Sequence, residues 1–473
     1  MKGIIWDKGM NMIRFNKEKY LKKLKFKKHE RYIYLGLSFI LILVIGIYFA
    51  YSKYSVSKDT EVVRTTVGNF ISGDIVITPY IDGEYSKEFP KDEVGINVEK
   101  VLCDNDVTAS WDEDKLGLKI TDLTKRTKCN VYFVTPKSCG INDNVTCINS
   151  REELSALATE VNNGDNKLGK IIYLTSDIDL GGKFDSDGNA LDGNISWTPI
   201  GTDNNRFSGI FDGNGHVIKN MYIKDTANVS LINYATSSVI KNVGIVDSYL
   251  NSTEGHASAL IGEITNGIVK NSFSNSIVIG QKFTGGLVSR LYYGTLKNCY
   301  NAGSVNGDVQ FAAGIVSYET GDDSVIKNVY NYGKVTGFNE DGGIVGGVQG
   351  LVKSAYNLGD VENYFSTCGG IAGQAYLLHS PRINDSYNVG QIKGRSIVYD
   401  LHDGDGVNEG HYGFSNNFYL KDSATLAEET EAVELSKDEM PSVISVINGD
   451  NAFVSDINNI NNGYPILKWQ ANR

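Results

Sequence analysis

The chain of 473 residues carries 45 Lys or Arg against 56 Asp or Glu, a net charge of −11. One core of ordinary size does not serve so long a chain, so two or three units are expected, or a repeat fold whose core grows along one axis. With 51 Gly and only 7 Pro, the composition excludes collagen-like and Pro-rich linker proteins and suits many tight turns between strands.

Residues 1–31 hold eleven Lys or Arg and three acids, a net of +8 that leaves −19 on the rest. Residues 32–51 then run without a charge. At about 1.5 Å per residue they span about 30 Å, the thickness of a hydrocarbon core. The run is longer than a signal-peptide core and ends without a small-x-small cleavage site. It reads as an uncleaved single-pass anchor, with residues 1–31 a basic cytoplasmic stub resting near anionic lipid and the acidic body exported. Residues 52–72 are polar and read as a stalk.

Residues 73–135 show strand-like alternation, as in Asn130-Val131-Tyr132-Phe133-Val134, and form a small β-domain followed by a linker at 136–149. Export favours disulfides: Cys103 and Cys129 bracket this domain, and Cys139 and Cys147 close a short loop. Ser150-Arg151-Glu152-Glu153-Leu154, a polar cap with early acids, starts a helix expected to cap the region C-terminal to it.

The region from Lys170 repeats itself. Leu296-Lys297-Asn298-Cys299-Tyr300-Asn301, Ile326-Lys327-Asn328-Val329-Tyr330-Asn331, Val352-Lys353-Ser354-Ala355-Tyr356-Asn357 and Ile383-Asn384-Asp385-Ser386-Tyr387-Asn388 align, each followed two residues later by a Gly. A second phrase lies between them, in Gly285-Gly286-Leu287-Val288, Gly342-Gly343-Ile344-Val345 and Gly369-Gly370-Ile371-Ala372. A period of 26–30 residues implies one solenoid coil per repeat. These phrases resemble the GLUG motif of bacterial surface proteins, as do Phe207-Ser208-Gly209-Ile210-Phe211-Asp212-Gly213 and the closing Gly463-Tyr464-Pro465-Ile466-Leu467-Lys468-Trp469. The resemblance covers residues 150–473. It implies a right-handed parallel β-helix over 150–420, a C-terminal cap over 421–473, and a Gram-positive, clostridia-like cell surface.

Alternation along a strand puts Ile326, Asn328 and Tyr330 on one side and Lys327 and Val329 on the other. The first set is expected inside, with the asparagines in an amide ladder and the tyrosines in the core rather than on a sugar-stacking platform. Lys241, Lys270, Lys297, Lys327 and Lys353 are then expected to point outward in one column, a stripe able to bind an anionic wall polymer or glycan. Cys299 and Cys368, about three coils apart, are expected to be buried free thiols.

Catalytic signatures are absent: there is no H-E-x-x-H, G-x-S-x-G or P-loop. Some GLUG-bearing surface proteins are metallopeptidases, and that activity is not carried over without the zinc motif. Asp400, His402, Asp403, Asp405, Glu409 and His411 could hold a divalent metal, against a plainer reading as a solvated loop. Asp185-Ser186-Asp187-Gly188-Asn189 has the opening of a calcium loop, but its twelfth position is Ser196. A loose surface calcium site is therefore the only cofactor considered. Asp177, Asp179 and Asp212 are candidates for the acids of a polysaccharide hydrolase or lyase, against a role in capping turns. The sequence reading is thus a membrane-anchored, surface-displayed binding or adhesion protein, non-catalytic, for a glycan, wall polymer or host ligand. A polysaccharide-processing enzyme is the alternative, and no nucleic-acid partner is expected.

Overall fold

The structure is a computed structural model that describes residues 145–365, 368–402, 413–426, 432–443, 447–449 and 451–471, with the backbone of strands within 4–14 and 73–133. The anchor and stalk assigned to 32–51 and 52–72, and residues 136–144 of the linker assigned to 136–149, lie outside the described residues. Val145–Ile148 of that linker form a strand paired parallel with Ile171–Leu174 and so belong to the solenoid. No helix among the described residues is long and apolar enough to cross a membrane. In the small β-domain, strands Val98–Cys103 and Cys129–Phe133 pair antiparallel, with Cys103 directly opposite Cys129.

From Val145 onward the chain winds a right-handed parallel β-solenoid of about nine turns. One coil shows the plan. Thr295–Asn301 and Val305–Gly307 join a 21-stranded sheet, here called the long sheet. Phe311–Ala313 joins a six-stranded corner sheet, and Val316–Thr320 joins a seven-stranded front sheet. The next coil begins at Val325. Aliphatic side chains from all sides meet in one continuous core, including Leu291, Leu296, Ile315, Val316, Ile326 and Val352.

The open end of such a core needs a lid, and helix Arg151–Asn162 supplies it, burying Leu154, Leu157, Ala158 and Val161. Its start obeys the sequence signal: Ser150 Oγ accepts from the Glu153 N–H, and Glu153 Oε2 accepts from the Asn149 N–H at 2.7 Å.

Strict alternation of side chains breaks at one residue per coil. Asn242, Asn271, Asn298, Asn328, Ser354 and Asp385 have φ between 49° and 55°. Short polar side chains tolerate this left-handed region best, and one such residue bends the strand. Residues on both sides of the bend therefore point inward: Leu296 with Cys299, Ile326 with Val329, Val352 with Ala355. Val329, expected outside, is in the core, and Tyr330 is thrown to the outer side.

Tyr330, Tyr356 and Tyr387 are nevertheless buried, and Tyr300 is half-buried. Phe273, Tyr300, Tyr330, Tyr356 and Tyr387 stack ring on ring at 4.9, 5.0, 4.9 and 4.8 Å, and the C-terminal segment covers them. Trp469 packs on Phe273 and Tyr300 and donates its indole N–H to the Asn298 carbonyl at 2.9 Å. Tyr330 donates to Gln470 Oε1 at 2.8 Å, and Tyr356 donates to the Pro465 carbonyl.

Two amide ladders stitch the coils. Each bend asparagine donates to the one before it, Asn328 to Asn298, Asn298 to Asn271, Asn271 to Asn242, and Asn242 to Asp212. The second ladder is fully buried: Asn301 donates to Asn331, Asn331 to Asn357, and Asn357 to Asn388. It also explains the second glycine of the other phrase. A Cβ on Gly286, Gly314, Gly343 or Gly370 would lie 2.7, 2.3, 2.4 or 2.5 Å from the amide carbon of the facing asparagine.

Candidate functional site

The lysine column aligns in register, Lys241, Lys270, Lys297, Lys327, Lys353 on successive coils. It is not an open stripe along its whole length. Lys270 is only 7% exposed, Lys241 Nζ lies 3.5 Å from Asp212 Oδ2, and Lys353 Nζ lies 3.5 Å from Asp385 Oδ2.

The acids proposed for catalysis are occupied by turns. Asp179 accepts from the Gly181 N–H and the Asn220 amide, and Asp212 from the Asn214 N–H and the Asn242 amide. Asp177 accepts from the Val217 N–H. Asp185 Oδ1 accepts from the backbone of Asp187 and Asn189, and Ser196 donates to the Tyr222 carbonyl, so the calcium-like run closes its own turn. Among the described residues no three His, Cys, Asp or Glu side chains gather closely enough to hold a metal. Asp403, Asp405, Glu409 and His411, and the His402 side chain, lie outside the described residues. Cys147 is disulfide-bonded, its proposed partner Cys139 also lying outside, while Cys299 and Cys368 are free and buried. Burial pushes both thiols up to about 12.

The densest chemistry stands on the outer face of the front sheet. Register places Tyr234, Glu263, Arg290, Tyr318, Gly347, Gln374 and Asp400 in one column, a residue per coil. Strand alternation turns their neighbours Ala235, Ile264, Leu291, Val348 and Ala375 into the core. At one end Glu263 is held between two guanidinium groups, Arg206 on Oε1 and Arg290 on Oε2 at 2.6 Å. Arg206 also lies over the Tyr234 ring at 5.2 Å and Arg290 over Tyr292 at 5.8 Å.

Past this clamp the face turns aromatic. Phe283 and Phe311 stack on Tyr318 at 5.1 and 6.0 Å, and Tyr376 meets Tyr318 edge-on at 6.0 Å across Gly347. A Cβ on Gly347 would come within 2.9 Å of Tyr318 and 3.2 Å of Tyr376. Burial first, then the neighbouring Tyr318 and the carboxylates Glu340 and Asp400, raise the Tyr376 phenol well above its usual range. It therefore stays a hydrogen-bond donor at neutral pH. Gln374 donates to Asp400 Oδ2 at 2.7 Å. Beside the clamp, His256 stacks on Phe283 at 5.2 Å, and burial with the Arg290 charge pushes it down to about 3. Its ring is neutral, and Nδ1 accepts from the Phe283 N–H at 3.2 Å.

Of the residues singled out from sequence, only Asp400 lies on this column. The rest of the face carries no spacing motif. One signal marks part of it: Arg290, Gly347 and Gln374 stand two residues after Gly285-Gly286-Leu287-Val288, Gly342-Gly343-Ile344-Val345 and Gly369-Gly370-Ile371-Ala372, whereas Tyr234, Glu263 and Asp400 follow phrases without glycine.

No protein-family model matches this chain, and no curated protein does. Solved structures do. The chain is similar to a candidate immunoglobulin A1 protease from Bacteroides ovatus, with 20% identity over 69% of this chain and 94% of that one, at a TM-score of 0.41. It is also similar to a structure named IgA1 Protease, with 14% identity over 72% of this chain and 28% of that one, at a TM-score of 0.44. Neither likeness bears on what this chain binds or does.

Proposed function

We propose that this chain is a membrane-tethered, surface-displayed β-solenoid that binds a polysaccharide along its front sheet without cleaving it. The observation that carries the reading is the outer column itself, in which arginine and tyrosine, then glutamine and aspartate, line up along the coils on either side of Gly347. Coils repeat at about 4.8 Å, so an extended polymer lying along the axis meets a new residue of the column at each step, a side chain at all but Gly347. Aromatic faces stack on the apolar side of a sugar ring, while Arg, Gln and Asp bond its hydroxyls. The lysine column is the weaker contact for an anionic wall polymer, since part of it is buried or paired.

The alternative, a hydrolase or lyase on this scaffold, draws less support from the acids. Two-carboxylate hydrolysis needs carboxyl groups about 5–9.5 Å apart. Within the column itself Glu263 and Asp400 stand five coils apart, about 24 Å at the spacing of parallel strands. Glu340 joins Asp400 in the surroundings of Tyr376, so a cleavage readout tests that pair. The tether rests on residues 32–51, and the GLUG-like phrases point to a Gram-positive surface.

The test is to array the purified full-length chain, in detergent, against glycans and wall polymers, reading both binding and new reducing ends. The expected result is binding without cleavage, weakened at least tenfold by Tyr318→Ala with Gln374→Ala. New reducing ends, or undiminished binding by the double variant, would overturn the proposal.

A further inference from the structure

The outer face of the long sheet is covered in two places. At one, loop residues 181–195 fold back so that Phe184 packs on Tyr222 at 5.9 Å and on Tyr249 at 5.6 Å. Tyr222 donates to the Gly188 carbonyl at 3.3 Å, which pins the loop tip. At the other, Trp469 of the C-terminal segment sits on Phe273 and Tyr300. Beside the loop's edge the sheet surface is open, and there lies a groove of about 700 Å³.

The groove is made from several coils. Asn275, Ser276 and Ser304 belong to its floor, Lys183, Phe184 and Leu191 come from the loop, and Asp247 and Ile277 also border it. Asp247 is held at φ 47°, where the pairing of Gly244–Ser252 with Phe273–Gly280 slips register between Val246 and Tyr249. Such an irregularity re-aims a side chain, and here the carboxylate belongs to the groove. The apolar side chains at the rim, Leu191 and Ile277, are 50% and 36% exposed, unusual company for the polar floor.

We infer that this groove is a second saccharide site, distinct from the front sheet, that takes one or two sugar units of an uncharged oligosaccharide. Its volume lies within the range of small-ligand pockets. A lysine and an aspartate, Lys183 and Asp247, both border it, so neither an anion nor a cation is matched as a whole. A sugar hydroxyl both donates and accepts: it donates to the Asp247 carboxylate and accepts from the Lys183 ammonium, while the Asn275 amide serves either role. The apolar C–H face of the ring lies against Phe184, Leu191 and Ile277. The floor positions Asn275 and Ser304 are both exposed, so changing them leaves the solenoid core untouched.

The experiment titrates the full-length chain with cellotetraose, xylotetraose and chitotetraose by calorimetry. Saturable binding of at least one probe is expected. Ser304→Trp, which fills the groove, abolishes it, and Asp247→Asn with Asn275→Ala weakens it at least tenfold. The front-sheet variant Tyr318→Ala with Gln374→Ala leaves it unchanged, which separates this site from the polymer face. No binding of any probe overturns the inference, as does binding that survives Ser304→Trp. Binding lost only in the front-sheet variant assigns the saccharide to that face and equally overturns it.

Discussion

Glu319 occupies a place in the fold where its neighbours are aliphatic. It pairs in register with Leu291, faces the core, and is 1% exposed. Its carboxylate accepts the backbone N–H groups of Gln349 and Gly350 at 2.8 and 2.9 Å, closing the corner that leads to the next coil. Burial outweighs those bonds and pushes the group up to about 7. The folded state therefore holds this proton more tightly than the unfolded chain. Stability contributed by the protonated form is complete below about 4.5, falls as pH rises, and is lost above about 7. The size of that loss is at most about 3.5 kcal/mol, from about 1.4 kcal/mol per pH unit. Glu319→Gln keeps an acceptor for both amides and removes the titration. Urea unfolding at pH 5 and pH 8 should differ less for this variant than for the parent, and an equal difference would assign the pH response elsewhere. The tyrosine ladder supplies a second residue-scale contrast. Tyr356 bonds Pro465 and Asn461, whereas the buried Tyr387 hydroxyl has no partner among the described residues. Removing a satisfied hydroxyl leaves its partners bare, but removing an unsatisfied one relieves a cost. Tyr356→Phe should destabilise by about 1–2 kcal/mol, and Tyr387→Phe should be neutral or stabilising in the same unfolding assay.

At the scale of an element, the C-terminal segment acts as a side wall rather than an end cap. It lies along the outside of several coils, where Phe453, Leu467 and Trp469 cover the stacked tyrosines. The helix Arg151–Asn162, in contrast, covers the end of the core. A side wall can detach without unwinding the coils, since the coil-to-coil hydrogen bonds do not pass through it. Trp469→Ala removes the ring that anchors it on Phe273 and Tyr300. Loss of that contact is expected to cost about 3–5 kcal/mol locally. The tyrosines should then become accessible to an apolar dye, with far-ultraviolet circular dichroism unchanged. A simultaneous loss of strand signal would show that wall and coils form one cooperative unit.

Across the whole solenoid, each coil touches only its neighbours, so stability is a sum of local terms. A defect that separates two coils should therefore divide the molecule. Gly343 is such a point: a Cβ there would lie 2.1 Å from the Gly370 carbonyl and 2.4 Å from Asn357 Cγ. Neither a backbone carbonyl nor a member of a buried ladder can yield cheaply. Chemical unfolding of Gly343→Ala is expected to resolve into two transitions, one for the coils on each side. A single transition with the parental midpoint would show that the coils absorb the clash.

The sequence by itself determined the repeat. A period near 28 and glycine-punctuated strands were enough to read one solenoid coil per repeat, because each coil obeys the same local rules and depends little on distant ones, while the parallel β-helix was what the resemblance of the phrases implied. The register of the lysines and the burial of Cys299 and Cys368 came from counting those coils. Tertiary structure decided which side each residue faces. Strict alternation assumes an unbroken strand, and a single left-handed residue in each coil, Asn, Ser or Asp, reverses it, which put Val329 inside and Tyr330 outside. Only the folded chain shows that a segment more than a hundred residues later buries that tyrosine. The front face was illegible for the same reason. Arg290, Tyr318, Gln374 and Asp400 lie on separate coils and share no common residue type, and they become one surface only when stacking strands set the coils a few ångströms from one another.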